Sequence, residues 1–255
     1  DQQRLVCVVG RDISQRKRAE LALQENQNQL AHLVEHDPLT DLPNRTYLDA
    51  RLPDLLEHIH AQGQSLALLY IDIDRFKSVN DSGGHSVGDA VLKILARRLS
   101  IATSGHDIVL RLGADEFVVI APGVSKGCAL RTLAERLLST IREPVVLNEL
   151  HISLTASIGI SLYPDDASDG EVLLKNANTA LHEAKENGRD CYREFSKEMN
   201  AQLSEHLTLE RALRHALNDD QIYVEYQPVV DLRTGLLVSL EALARWRSPA
   251  LGVVS

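Results

Sequence analysis

Asp72, Asp74, Asp115 and Glu116 are the residues whose type and spacing most directly suggest chemistry. Asp72 and Asp74 close the apolar run "LALLYIDID" two residues apart, and the alternation of a strand puts both side chains on one face. Asp115 and Glu116 are adjacent in "RLGADEFVVI", where a glycine-bearing turn joins two apolar runs in the manner of a β-hairpin. If the two segments are neighbours in one sheet, the hairpin tip lies beside the first pair. Carboxylates crowded at strand ends repel one another unless a cation lies between them, and hard oxygen ligands favour Mg²⁺, commonly shared with substrate phosphates. Two such ions can hold a nucleoside triphosphate, activate a hydroxyl and stabilise a leaving pyrophosphate. On these four residues alone, solvated strand-end acids are the plainer alternative.

The residues that follow favour phosphate chemistry. "RFKSVND" starts a short helix just past Asp74, so its first backbone N–H groups face any phosphate bound there. Lys77 adds a positive charge. Asn80 and Asp89 offer an amide and a carboxylate, a pair suited to the acceptor and donor edge of guanine, with the glycines of "DSGGHSVGD" between them for a chain reversal. In "AKENGR", Lys185 and Arg189 are four apart and share a helix-end face. That pair suits a phosphate clamp or an ordinary solvated helix cap.

The elements that must position these groups follow from periodicity and breakers. "HDPLTDLPNR" is a turn-rich break, followed by a helix over about 45–61, the buried strand "LALLYID" and the amphipathic helix "SVGDAVLKILARRLSIA". A hairpin over 108–121, a helix over about 125–142 and a second hairpin of "PVVL" with "HISLTASIGISLY" come next. A helix stopping at Gly188 and the strand "CYREF" complete the unit. The order predicts an α/β fold: an antiparallel-rich central sheet flanked by helices. Before it, residues 5–9 look like a final sheet strand, and Ala19, Leu23, Asn26, Leu30 and Leu33 form a heptad-like seam on a linker helix. After it come a polar amphipathic helix and the strands "IYVEYQPVV" and "LLVSLEALARW", joined by "DLRTG".

The chain has 255 residues, 44% of them hydrophobic, enough for a buried core. A net charge of −9, from 36 acidic and 27 basic side chains, argues against nucleic-acid binding through a general basic surface. Cys7, Cys128 and Cys191 are scattered without metal-ligand spacing and read as free thiols of a reducing compartment. No apolar run approaches the ~20 residues that cross a bilayer. The abrupt ends suggest a piece of a longer protein, with any membrane attachment elsewhere in the parent.

In this order, "HDPLTDLPNR", "DIDRFKSVNDSGGHSVGD", "RLGADEF", "TASIGISLYP" and "AKENGRDCY" resemble the GGDEF family of diguanylate cyclases. The resemblance implies a palm-like sheet, two Mg²⁺ or Mn²⁺ ions, and condensation of two GTP into cyclic di-GMP by a homodimer, each subunit holding one GTP. By matching position, Asp72 and Asp115 would be metal ligands, with the Ile73 carbonyl assisting. Glu116 would help bind metal and activate the ribose 3′-hydroxyl, Asn80 and Asp89 would read guanine, Phe76 and Lys77 would contact phosphate, and Lys185 and Arg189 would grip the terminal phosphates. "VVGRDISQRKRAE" resembles the end of a PAS sensor domain running into its signalling helix. "YQPVVDLRTG" and "EALARW" resemble the start of an EAL phosphodiesterase domain, with Gln227 and Arg245 at substrate-binding positions and Glu241 at a metal-binding one. The implied domains are a PAS end at 1–13, a linker helix at 14–35, a GGDEF domain at 36–196, and a linker helix with an incomplete EAL start at 197–255. A cytoplasmic location, or the cytoplasmic part of a membrane protein, goes with them.

Three positions depart from the family pattern. The signature turn reads Gly113-Ala114-Asp115-Glu116, with alanine where the family has a second glycine. A glycine there can serve close approach of the nucleotide or positive φ, and an alanine forced into left-handed geometry costs roughly 1–2 kcal/mol. The family's product-inhibition motif, Arg-x-x-Asp, is "SGHD" here: Asp107 stays, but Ser104 lacks the guanidinium fork. Asn178 and His182 replace an Asp and a Tyr. These features leave three readings: a GTP-binding domain with weak or lost cyclase activity that regulates an EAL phosphodiesterase, a competent cyclase, and a dimerising module that binds no nucleotide.

Overall fold

The computed structural model describes residues 32–147, 150–216, 221–249 and 252–254, together with Lys17 and Asp219. The chain divides into two compact units that meet between Ser196 and Lys197. The expected PAS end lies outside the described residues, as does the linker helix apart from Lys17 and a helical turn at 32–35.

In the first unit, helix α1 (Arg45–Ala61) leads into β1 (Leu66–Ile73), then α2 (Phe76–Gly83) and α3 (His85–Ala102). The hairpin of β2 (Ile108–Arg111) and β3 (Glu116–Pro122) precedes α4 (Cys128–Arg142). Strands β4 (Val145–Leu147), β5 (Leu150–Ile152) and β6 (Ala156–Tyr163) follow, then α5 (Gly170–Glu186) and β7 (Tyr192–Glu194). The main sheet has the order β2-β3-β1-β6-β7. All its pairings are antiparallel except β6 with β7.

The central strands β1 and β6 are buried along their whole length. That explains an uninterrupted apolar run in place of alternation: helices cover both sheet faces. Ala67, Leu69, Ile71 and Ile73 pack with Val91, Leu95 and Leu99 of α3 and Leu130, Leu137 and Ile141 of α4. Leu66, Leu68 and Tyr70 face the other layer, against Leu48, Leu52 and Leu56 of α1 and Leu173, Ala177 and Leu181 of α5. The four-residue spacing in α1 gives it one apolar stripe, each leucine contributing about 2 kcal/mol on burial. Asn44 starts α1 by accepting from the Tyr47 amide, and Asp169 starts α5 by accepting from that of Val172.

The second hairpin expected from the sequence divides in two. "PVVL" pairs only with β5 in a separate two-stranded hairpin, and β6 beyond it joins the main sheet beside β1. The break falls at 153–155, where the Thr155 carbonyl and hydroxyl both bond to Asp74. Helix α4 starts three residues later than expected, after Gly127, whose φ of 139° breaks the helix.

In the second unit, α6 (Lys197–Ala216) precedes a three-stranded antiparallel sheet of β8 (Ile222–Val230), β9 (Leu237–Ser248) and β10 (Gly252–Val254). The "DLRTG" turn closes on Asp231, whose Oδ1 accepts from the amides of Arg233 and Thr234 at 2.8 Å each.

Candidate functional site

One end of the main sheet gathers the acids. Asp72 on β1 stands opposite Glu116 on β3 and Ser157 on β6, so the three share the α1/α5 face. The Ile73 amide donates to the Asp115 carbonyl at 3.2 Å, which binds the hairpin tip to the end of β1. The expected adjacency of the two acidic pairs is present.

Lys185 reaches this cluster from α5, its Nζ 2.7 Å from Asp72 Oδ2. The helix comes so close to the sheet because β6 carries Gly159 beneath it. A Cβ there would overlap the Ala177 carbonyl and the Leu181 amide. Burial, reinforced by the neighbouring Asp72 carboxylate, raises the Asp115 pKa above its ordinary value despite Lys185. Tyr70, two residues before Asp72 on the same face, is pushed up to about 12 by burial and then by the charge of Glu116, to which its hydroxyl is bonded. The Glu116 carboxylate also folds back over Gly113, where a Cβ would meet Oε2 at 2.8 Å. Tyr70 was not singled out from the sequence; its period-two spacing from Asp72 was the available signal.

Asp74 shares the face of Asp72 but has a different occupation. Its two oxygens accept from the hydroxyls of Thr155 and Ser157, at 2.7 Å each, and from the Asp190 amide at 3.1 Å. It is a buried, fully engaged bracket between strand and loop.

Helix α2 is preceded by Arg75, a left-handed residue (φ 55°) that supplies no side-chain cap. The Phe76 and Lys77 amides of its first turn therefore keep the capacity to meet an anion, whereas that of Ser78 donates to the Arg75 carbonyl at 2.9 Å. Lys77 is exposed beside them. The Phe76 side chain is buried in the core, so any phosphate contact from Phe76 is through its backbone. Asn80, near the end of α2, packs against α3 at Gly88, where a Cβ would overlap its Oδ1. This places the Asn80 amide next to the residue preceding exposed Asp89. Arg189 is exposed, and among the described residues its guanidinium makes no hydrogen bond or ion pair.

The signature turn is held from behind. Arg111 donates from Nη1 to Asp37 Oδ2 and from Nη2 to the Ala114 carbonyl, each at 2.8 Å, and its amide donates to the Pro43 carbonyl. Burial pushes the Asp37 carboxyl up, but hydrogen bonds from Thr40 and Arg111 outweigh this and hold it below its ordinary value. Ala114 is exposed and is not among the residues of positive φ, and neither is Gly113. The left-handed strain considered for Ala114 is therefore absent, because the turn closes without αL geometry at that position. At "SGHD", Asp107 Oδ2 accepts from the Ser104 amide at 2.7 Å and so closes its own turn. Asn178 and His182 are exposed on α5.

In the second unit, Gln227 stands opposite Glu241, and Arg245 lies four residues along the same face of β9. Arg245 Nε donates to Glu225 Oε2 at 2.9 Å.

Residues 34–191 match the family model described as "Diguanylate cyclase, GGDEF domain". The chain belongs to the GGDEF family. Residues 210–255 match the EAL domain model. The chain is 38% identical over 251 residues to the cyclic di-GMP phosphodiesterase NbdA of Pseudomonas aeruginosa, covering 93% of this chain and 32% of that protein. It is also 38% identical over 234 residues to the bifunctional diguanylate cyclase/cyclic di-GMP phosphodiesterase MucR of the same organism, covering 92% of this chain and 34% of that protein. It thus spans about a third of the length of these curated relatives. The isolated GGDEF domain of P. aeruginosa TpbB (YfiN) superposes with a TM-score of 0.64 at 35% identity, over 66% of this chain and 99% of that one. The GGDEF domain here therefore has the palm-like, mostly antiparallel sheet that its sequence implied.

The donor set suits the Mg²⁺ or Mn²⁺ of this family. Asp72, Asp115, Glu116 and the Ile73 carbonyl are hard oxygens, and the Lys185 ammonium on Asp72 shows that the carboxylates here already draw a cation. Among the described residues, no three acidic, histidine or cysteine side chains converge to enclose a metal ion. Mg²⁺ commonly takes one or two carboxylates and completes its shell with phosphates and water.

Proposed function

We propose that residues 36–196 bind GTP with Mg²⁺ or Mn²⁺, carry weak or lost diguanylate cyclase activity, and regulate an adjoining EAL phosphodiesterase in a cyclic di-GMP signalling protein. The observation that carries this is the meeting of Asp72, the Asp115 backbone, Glu116 and Lys185 at one end of the sheet. Asp72, Asp115, Glu116 and the Ile73 carbonyl would hold the ion, which supplies charge neutralisation of the triphosphate and acidification of the ribose 3′-hydroxyl. Asn80 and Asp89 read guanine, the α2 amides and Lys77 meet phosphate, and Lys185 and Arg189 take the terminal phosphates. For Lys185 this would mean exchanging Asp72 for a phosphate. Glu116, which accepts from the Tyr70 hydroxyl, would accept the 3′-hydroxyl proton.

Condensation requires two such domains facing each other, so the working form is a homodimer. GTP as substrate places the domain in the cytoplasm, free or as part of a membrane protein. The N-terminal segment is assigned to a PAS sensor domain and linker helix. Gln227, Glu241 and Arg245 are assigned to the EAL domain that begins here, whose substrate in the parent is cyclic di-GMP.

The Ala114 methyl stands on the exposed tip of the signature turn, and a nucleotide drawn close to that turn would meet it, which supports a slowed reaction. The unstrained turn favours the second reading, a competent cyclase. Incubation with labelled GTP and Mg²⁺ separates them. Little cyclic di-GMP from the natural chain and a gain in Ala114→Gly support the first reading; fast turnover without gain supports the second.

A further inference from the structure

The loop behind the phosphate clamp is held in an uncommon conformation. Gly188, Arg189 and Asp190 all have positive φ, at 97°, 64° and 50°. Left-handed geometry is costly for residues with a Cβ, and two in succession persist only where the surroundings over-determine them. Here the surroundings are specific. The Arg189 amide donates to the Ala184 carbonyl at 3.1 Å. The Asp190 amide donates to Asp74 Oδ2 at 3.1 Å. From α4, Arg142 Nε donates to Asp190 Oδ1 at 2.8 Å and its Nη2 to the Asp190 carbonyl at 2.9 Å.

Asp74 therefore links the strand that carries Asp72 to the loop that carries Arg189. Arg142 fixes both the side chain and the carbonyl of the residue that Asp74 holds by its amide. The bonds engage Asp190 and leave the Arg189 guanidinium without a partner among the described residues. We propose that Asp74 and Arg142 are positioning residues, which hold residues 188–190 in the left-handed turn that aims Arg189 at the terminal phosphates of bound GTP. The proposal rests on the reading of Arg189 as a phosphate contact. Arg142 suits the task because its planar fork meets two acceptors in a fixed, spaced geometry that the single nitrogen of a lysine does not supply.

The contribution is specific for phosphate number. If Arg142 acts through Arg189, its loss weakens GTP but leaves GMP, which lacks the terminal phosphates, nearly untouched. The test is calorimetric titration of the chain with GTP and with GMP, in Mg²⁺, for the natural protein, Arg142→Ala, Arg189→Ala and the double variant. Arg142 is half-exposed, so its truncation should leave the core intact, and a thermal melt checks this. Arg142→Ala should weaken GTP about tenfold and GMP less than about twofold. In the Arg189→Ala background, Arg142→Ala should add nothing further. If Arg189→Ala leaves GTP affinity unchanged, the phosphate-contact reading itself fails. If Arg189→Ala weakens GTP but Arg142→Ala does not, or lowers GTP and GMP equally, the positioning role is overturned. Should Arg142→Ala melt below the assay temperature, Arg142→Lys serves: the proposal requires the same selective loss of GTP, and full GTP affinity would refute it.

Discussion

Ala114 puts a methyl group at an exposed turn whose carbonyl Arg111 already fixes. Because the turn is not left-handed there, glycine would relieve no strain and would add freedom to the unfolded chain. Ala114→Gly should therefore leave the melting temperature level or slightly lower, while raising GTP condensation about tenfold or more, equivalent to ~1.4 kcal/mol in the barrier. A rise in both rate and melting temperature would show that strain was present after all. Asp115→Ala in that background should remove the gain, since the recovered activity uses the same acids. At the "SGHD" turn, Ser104→Arg should introduce or strengthen feedback by cyclic di-GMP. Tight inhibition of the natural chain that depends on Asp107 would contradict that expectation.

Two elements set the height and aim of the site. Helix α5 touches the sheet at Gly159, so Gly159→Ala must push the helix outward, an overpacking cost of about 1–3 kcal/mol. The displaced helix carries Lys185 away from Asp72, so GTP affinity should fall in protein that is still folded by circular dichroism. Unchanged affinity would mean that the helix height does not set the clamp. The other element is the "HDPLTDLPNR" segment, tied to the signature hairpin by the Asp37–Arg111 pair. Removing the carboxylate strands a buried guanidinium whose Nε already lacks a partner, so Asp37→Asn should cost about 3 kcal/mol at neutral pH. The Asp37 pKa is lowered by folding, so its contribution is complete above the ordinary value of 3.8 and is lost as pH falls through the lower folded value. Urea melts of both proteins across that range should converge on the acid side. A stability gap that persists or widens there would assign the effect to something other than the carboxylate.

For the whole molecule, the proposed condensation needs two loaded domains, so turnover per chain should rise with protein concentration until dimerisation saturates; a rate per chain independent of dilution would contradict this. Much of this arrangement was legible in the sequence. Buried β1, the Asp72/Asp115 neighbourhood and Lys185 at the end of α5 follow from apolar runs, period-two spacing and helix periodicity, whereas Arg189 lies past the helix end at Glu186 and does not share its face with Lys185. What stayed hidden depends on distant partners. Nothing local tells Asp72 from Asp74, yet one faces Lys185 and the other is consumed by Thr155, Ser157 and Asp190. The φ of Ala114 was illegible for the same reason, since Arg111 and the hairpin register fix the turn. Arg142 lies 48 residues before Asp190, beyond any sequence window. The central claim, that this GGDEF domain is a guanine nucleotide site, is tested most directly by calorimetric titration of the chain with GTP and with ATP in Mg²⁺. Asn80 and Asp89 predict saturable GTP binding, at least about tenfold weaker ATP binding, and loss of that preference in Asp89→Ala. Equal affinity for the two nucleotides, or no binding of either, would contradict it.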